Sequence, residues 1–257
     1  MTAAAPLLET RALTVRFGGQ AAVDGVSCAF HRGSLTAIVG PNGAGKTTYF
    51  NLISGQLFPT SGDVLLRGER ITALSAPLRA RRGLGRAFQL TNLFPDLSVH
   101  ENVRLAVQAR AGVGLRMAAL AADLTDLADR ASAFVERVDL TKRARVPAAA
   151  LSHGDQRKLE VAILLALEPD VFMFDEPTAG MSVDQVPVIL DLIEAIKAEG
   201  DKTILLVEHK MDVVRRLADR VIVLHQGALM ADGAPAEVVA LPIVQEAYLG
   251  IRRTADA

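Results

Sequence analysis

The stretch Leu35-Thr36-Ala37-Ile38-Val39-Gly40-Pro41-Asn42-Gly43-Ala44-Gly45-Lys46-Thr47-Thr48 passes from an apolar strand pattern, through a glycine-rich turn, into a helical pattern that lasts to Ser54. Gly40 to Thr47 fits G-x-x-x-x-G-K-[ST] in full, and strand–turn–helix is the context in which that pattern holds phosphate. The chemistry requires these residue types. Glycines let backbone N–H groups curl around phosphate oxygens, and the N-terminus of the following helix adds partial positive charge. Lys46 is then expected to reach the β- and γ-phosphates, and the Thr47 hydroxyl to ligate Mg²⁺. Asn42, Gly43, Ala44, Gly45 and Thr48 complete the expected nucleotide contacts.

A second stretch supports the first. Val171-Phe172-Met173-Phe174-Asp175-Glu176 is an apolar strand closing on two acids, and its end is expected beside the phosphate loop at the carboxyl edge of a sheet. Two adjacent carboxylates repel each other unless a cation lies near. Asp175 therefore suits the Mg²⁺ shell, and Glu176 suits polarising an attacking water.

Ala150-Leu151-Ser152-His153-Gly154-Asp155-Gln156 brings together the three residue types of a hydrolytic triad. Triads are assembled from separate parts of a fold, and no G-x-S-x-G elbow surrounds Ser152. The stretch reads instead as a helix start, with Ser152 as N-cap and Asp155 three positions later. A capped helix N-terminus carrying a glycine is also an anion receptor.

The rest of the chain organises around these motifs. Leu7 to Ser34 alternates like antiparallel strands, and Gly62 to Ile71 adds a short strand pair. Ser98-Val99-His100-Glu101 is a capping-box signal for a helix to about Arg110, and Leu115–Val138 has helical spacing rich in Ala and Leu. After Pro147 strands and helices alternate again, with a helix expected over Ser182–Glu199, strand Thr203–His209 and a helix to Ala218. Apolar strands alternating with helices imply a mostly parallel sheet.

Composition sets the bounds. The chain has 257 residues and a formal charge of -1, with a hydrophobic half. That suits one large α/β domain and argues against a general nucleic-acid binder. One cysteine, Cys28, excludes an internal disulfide framework and reads as core filler in V-S-C-A-F. The N-terminus lacks a secretory pattern, and no run reaches the roughly 18 apolar residues of a membrane span. A cytoplasmic chain that meets the membrane through a partner is expected.

Taken in order, the Gly40–Thr48 loop, L-S-x-G at Leu151–Gly154, the strand to Asp175-Glu176 and His209 resemble the ATP-binding cassette of ABC transporters over nearly the whole chain. The resemblance implies a P-loop NTPase core with a mostly parallel sheet, an N-terminal antiparallel β subdomain and an inserted α-helical subdomain at about 90–165, all within one domain, 1–257. It implies ATP and Mg²⁺. It makes Ser152 and Gly154 readers of the γ-phosphate held by a second ATP-binding subunit. By the same resemblance Phe17 stacks on adenine, Gln89 approaches Mg²⁺ and senses the permease, and His209 touches the γ-phosphate. Glu176, His209 and Gln89 are thus the expected catalytic set, and Thr47, Gln89 and Asp175 the metal set.

Two positions depart from that pattern. Asp155 stands where the family carries glutamine, with His153 in place of a glycine. A carboxylate ~6 Å from a phosphate charge costs about 2–3 kcal/mol at an effective dielectric near 20, so Asp155 is expected to point sideways as a cap. Ala179-Gly180-Met181-Ser182 replaces a segment ending in Asp, and Ser182 is expected as an N-cap with Gln185 closing a capping box.

R-R-G-L-G-R-A-F-Q-L-T-N-L-F-P-D-L-S-V-H-E-N-V, D-E-P-T-A-G-M and I-V-Q-E-A-Y-L-G are similar to the importer subfamily for branched-chain amino acids, amides and urea. That implies two transmembrane permease subunits, a periplasmic solute-binding protein acting indirectly, and a peripheral position on the cytoplasmic side of the inner membrane. The basic run Leu78–Arg82 reads as a solvated helix face near the permease groove and not as a nucleic-acid site, since no aromatic platform interleaves it. The rival readings are an ATPase of lipid or lipopolysaccharide extraction, a soluble ABC ATPase of DNA repair or translation, and a non-hydrolysing nucleotide sensor.

Overall fold

Strands of two patterns fold into two sheets. The computed structural model describes residues 5–87, 93–112, 121–183 and 185–244. Strands β1 (Leu8–Phe17), β2 (Gln20–Phe30), β4 (Ser61–Leu66) and β5 (Glu69–Arg70) form an antiparallel sheet in the order β2-β1-β4-β5. These strands are buried on one face, as their alternation requires. Leu8, Leu13, Val26, Cys28 and Phe30 line that face.

The second sheet has the order β10-β9-β3-β8-β7-β6, from β3 (Leu35–Val39), β6 (Leu84–Ala87), β7 (Val171–Asp175), β8 (Thr203–Val207), β9 (Arg220–His225) and β10 (Ala228–Gly233). All its pairings are parallel except β9 with β10. β3, β7 and β8 are buried at every position, as strands covered on both faces must be. Alternate residues feed different cores. Val171 and Met173 pack with helix α1 (Lys46–Ser54) and the antiparallel sheet, while Phe172 and Phe174 pack toward the helices on the other side.

Those helices are α3 (Val99–Ala111), α4 (Ala121–Arg137) and α5 (His153–Ala166), inserted between β6 and β7, together with α6 (Val186–Ala198). Ser98 caps α3 by accepting from the Glu101 N–H at 3.2 Å, while the Glu101 carboxylate turns to Arg104 and does not close the box. Helix α7 (Met211–Leu217) precedes β9, and α8 (Pro235–Ala240) follows β10. Among the described residues no helix is long and apolar enough to cross a membrane.

Two expectations are corrected. The helix expected from Ser182 begins at Val186; Gln185 lies at its N-cap without a side-chain cap bond. The Leu78–Arg82 run, on and after α2 (Ala76–Arg81), is not uniformly solvated. Arg79 is fully buried and donates to the carbonyls of Leu52, Ile53, Thr72 and Leu74 at 2.7–2.9 Å. It thereby satisfies carbonyls at the end of α1, where a helix leaves acceptors without partners; burial lowers its pKa to about 10. In the second sheet β8 lies between β3 and β7. The first part of the helix expected over Leu115–Val138, up to residue 120, and the I-V-Q-E-A-Y-L-G stretch from Gln245 lie outside the described residues.

Candidate functional site

Gly40–Thr48 leaves β3 between β8 and β9 and enters α1 at Lys46. Gly45 is the N-cap at φ 96°, a left-handed conformation, and any Cβ there would collide with the carbonyl oxygen of Ala22. Only glycine meets both conditions. The first-turn N–H groups of α1 have no in-helix acceptor, and a glycine cap offers them no side chain. Asn42, Gly43 and Thr47 are exposed, Thr48 is half-buried, and Ala44 is buried. Lys46 is buried, with Nζ donating to the carbonyls of Gly40 at 2.7 Å and Pro41 at 2.9 Å. Desolvation lowers its pKa, and the charges of Glu176 and Asp175 oppose that shift. The cation is thus folded across the loop it belongs to. Phe17 ends β1, is 55% exposed, and precedes the hairpin turn into β2. Ala22, on that hairpin, is the residue packed against Gly45, so the hairpin touches the loop.

Parallel register aligns Asp175 with Val207 and Val207 with Ile38, which brings the β7, β8 and β3 ends to one sheet edge. Asp175 is buried, and its Oδ2 accepts from Arg86 at 2.6 Å. Its Oδ1 is buried with no hydrogen-bond partner among the described residues. Burial raises the Asp175 pKa and the Arg86 guanidinium counters this. A buried carboxylate oxygen without a donor, on the edge that carries the phosphate loop, fits a hard dication bound by one or two carboxylates plus phosphates.

Glu176 has φ 49°, left-handed for a non-glycine residue, and its N–H donates to the Val207 carbonyl at 3.0 Å. Its Oε1 lies 2.8 Å from His209 Nε2. The structure therefore brings together Lys46, Asp175, Glu176 and His209. Gln89 lies outside the described residues.

Arg86 had no signal in the sequence beyond a basic residue in an apolar strand. Besides Asp175, it donates to Asn51 at 2.7 Å and Ser54 at 3.0 Å, and its guanidinium lies 5.5 Å from the Phe50 ring centre. It joins β6, β7 and α1 beneath the loop.

Ser152 caps α5, its Oγ accepting from the Asp155 N–H at 3.2 Å. Gly154 is buried directly under the Gln185 amide, which a Cβ at 154 would strike. The Asp155 carboxylate, expected as a cap, instead pairs with Arg143 Nε at 3.3 Å and does not close on the helix start. His153 is exposed.

The model of the ABC transporter family matches residues 23–179. The chain is 37% identical over 250 residues to the high-affinity branched-chain amino acid transport ATP-binding protein LivG of Escherichia coli K12, covering 95% of this chain and 98% of the relative. The ADP conformation of MJ1267, an ATP-binding cassette of an ABC transporter, superposes with TM-score 0.81 at 26% identity, over 95% of this chain and 99% of that one. A dimeric post-hydrolysis state of the cassette MJ0796, bound to ADP and Pi, gives TM-score 0.76 at 25% identity over 89% and 98%. The two-sheet architecture with its helical insert, the phosphate loop and these likenesses agree. The chain belongs to the ABC transporter family, as an ATP-binding subunit whose ATP hydrolysis is coupled to transport.

Proposed function

We propose that the chain is the ATPase of an importer for branched-chain amino acids or related solutes. The observation that carries this reading is the 37% identity to LivG across nearly both chains. In this reading it is a single cassette whose helical subdomain occupies about 90–165. It sits peripherally on the cytoplasmic face of the inner membrane against two permease subunits, with a periplasmic binding protein acting through them. A second ATP-binding subunit completes each site, a reading supported by the likeness to the dimeric cassette.

The loop N–H groups and Lys46 bind the phosphates, and Phe17 stacks on the adenine. Thr47 and Asp175, with Gln89, would hold Mg²⁺, which when bound supplies charge neutralisation at the β- and γ-phosphates. Glu176 accepts the proton of the attacking water. His209 Nε2, on Glu176 Oε1, orients that carboxylate and meets the γ-phosphate. Ser152 and Gly154 serve the nucleotide held by the other subunit. Binding ATP favours the closed pair and hydrolysis reopens it, so the permeases alternate between access states.

Uptake of labelled leucine by a strain lacking this chain tests the importer assignment. Uptake should fall, and the native chain should restore it while Lys46→Ala should not. Unchanged uptake of leucine, isoleucine and valine, together with altered surface lipid, would replace import by extraction.

A further inference from the structure

Glu208 is a carboxylate for which the chemistry above has no use. It follows β8 directly and is 3% exposed. Burying a carboxylate is costly unless donors replace its water. Three donors do so here, all of them neutral. Oε1 accepts from the Thr178 hydroxyl at 2.6 Å, and Oε2 accepts from the backbone N–H groups of His209 at 2.7 Å and Lys210 at 3.0 Å.

These bonds tie together the two turns that carry the hydrolytic side chains. Thr178, itself 1% exposed, lies two positions after Glu176. The turns after β7 and β8 are thus joined three times: by Glu176 N–H to the Val207 carbonyl, by Glu176 to His209 through their side chains, and by Thr178 to Glu208 behind them. Glu176 is held at φ 49°, and such a backbone persists only where its surroundings over-determine it.

We propose that Glu208 is a positioning residue for hydrolysis. It fixes the main chain of His209 and the turn at Thr178, and so keeps His209 Nε2 on Glu176 Oε1. Glu208 acts through that pair. The inference rests on the assignment of Glu176 and His209 to hydrolysis.

What matters at this position is the pattern of hydrogen bonds and not the charge. A glutamine can accept both backbone N–H groups at its carbonyl and donate its amide to the Thr178 hydroxyl. An alanine leaves all the donors without a partner. The test is steady-state ATPase kinetics with fluorescent-ATP binding on the full chain, for Glu208→Ala, Glu208→Gln and Thr178→Val. Glu208→Ala should lower kcat about tenfold or more with nucleotide affinity held within about threefold, the signature of misplaced catalytic groups. Glu208→Gln should recover kcat to within about threefold of the native chain, and Thr178→Val should lower kcat about threefold with binding intact. A folded Glu208→Ala chain with native kcat, or a Glu208→Gln chain as slow as Glu208→Ala, overturns the inference. If Glu208→Ala does not fold, Thr178→Val decides: a native kcat overturns it and a selective kcat loss supports it. Glu176→Gln, run in parallel, separates the two levels, since full turnover in that variant would remove the pair itself.

Discussion

Charged residues of this fold divide into those whose sequence context announces a task and those whose partners exist only in the fold. Lys46, Asp175 and Glu176 belong to the first kind, because phosphate and dication chemistry demands those residue types at the ends of apolar strands. Arg86, Arg79 and Glu208 belong to the second, since nothing adjacent in sequence shows what they bond. Arg79 sits in a basic run and still ends fully buried on the carbonyls of α1. Arg86 makes the sharpest stability prediction. Its side chain is 6% exposed and that of Asp175 is 0% exposed. Removing one partner of such a pair leaves an uncompensated charge, a loss of about 3–5 kcal/mol. Arg86→Met should therefore lower the urea midpoint sharply while Arg86→Lys lowers it less. Equal stability of Arg86→Met and the native chain would show that the pair does not hold this edge together.

The start of α5 was legible as an element because Ser-x-x-Asp before an apolar run is a local signal. Ser152 caps as read, and Ser152→Ala should destabilise the chain by about 0.5–2 kcal/mol in thermal unfolding. The partner of the Asp155 side chain was not legible: expected as a cap, it pairs with Arg143, on a separate 3₁₀ turn (Thr141–Arg143). Asp155→Gln should then change ATP affinity and turnover by less than about tenfold; a larger gain would mean that the carboxylate faces the phosphate after all. The start of α6 departs from its capping-box signal for a physical reason. Ser182 and Gln185 have capping-box spacing, but a tertiary contact prevails, and Gln185 covers Gly154. Local patterns place helices well where no distant partner competes for the same side chain.

Across the whole molecule, periodicity separated the antiparallel strands from the buried parallel ones, and that division became the two sheets. Strand order was not written locally. β8 inserts between β3 and β7, yet the register still delivers Asp175, Glu176, His209 and the phosphate loop to one edge. The proposed task of the Ser152–Gly154 helix start is likewise one of the whole assembly, to serve a nucleotide held by a second subunit. The most direct test is the light-scattering mass of Glu176→Gln with ATP and Mg²⁺, alongside its ATPase rate. The account predicts a dimer retaining two ATP molecules, turning over at least about a hundredfold more slowly than the native chain and returning to monomer when ADP replaces ATP. A Glu176→Gln chain that stays monomeric and hydrolyses ATP at the native rate would contradict it.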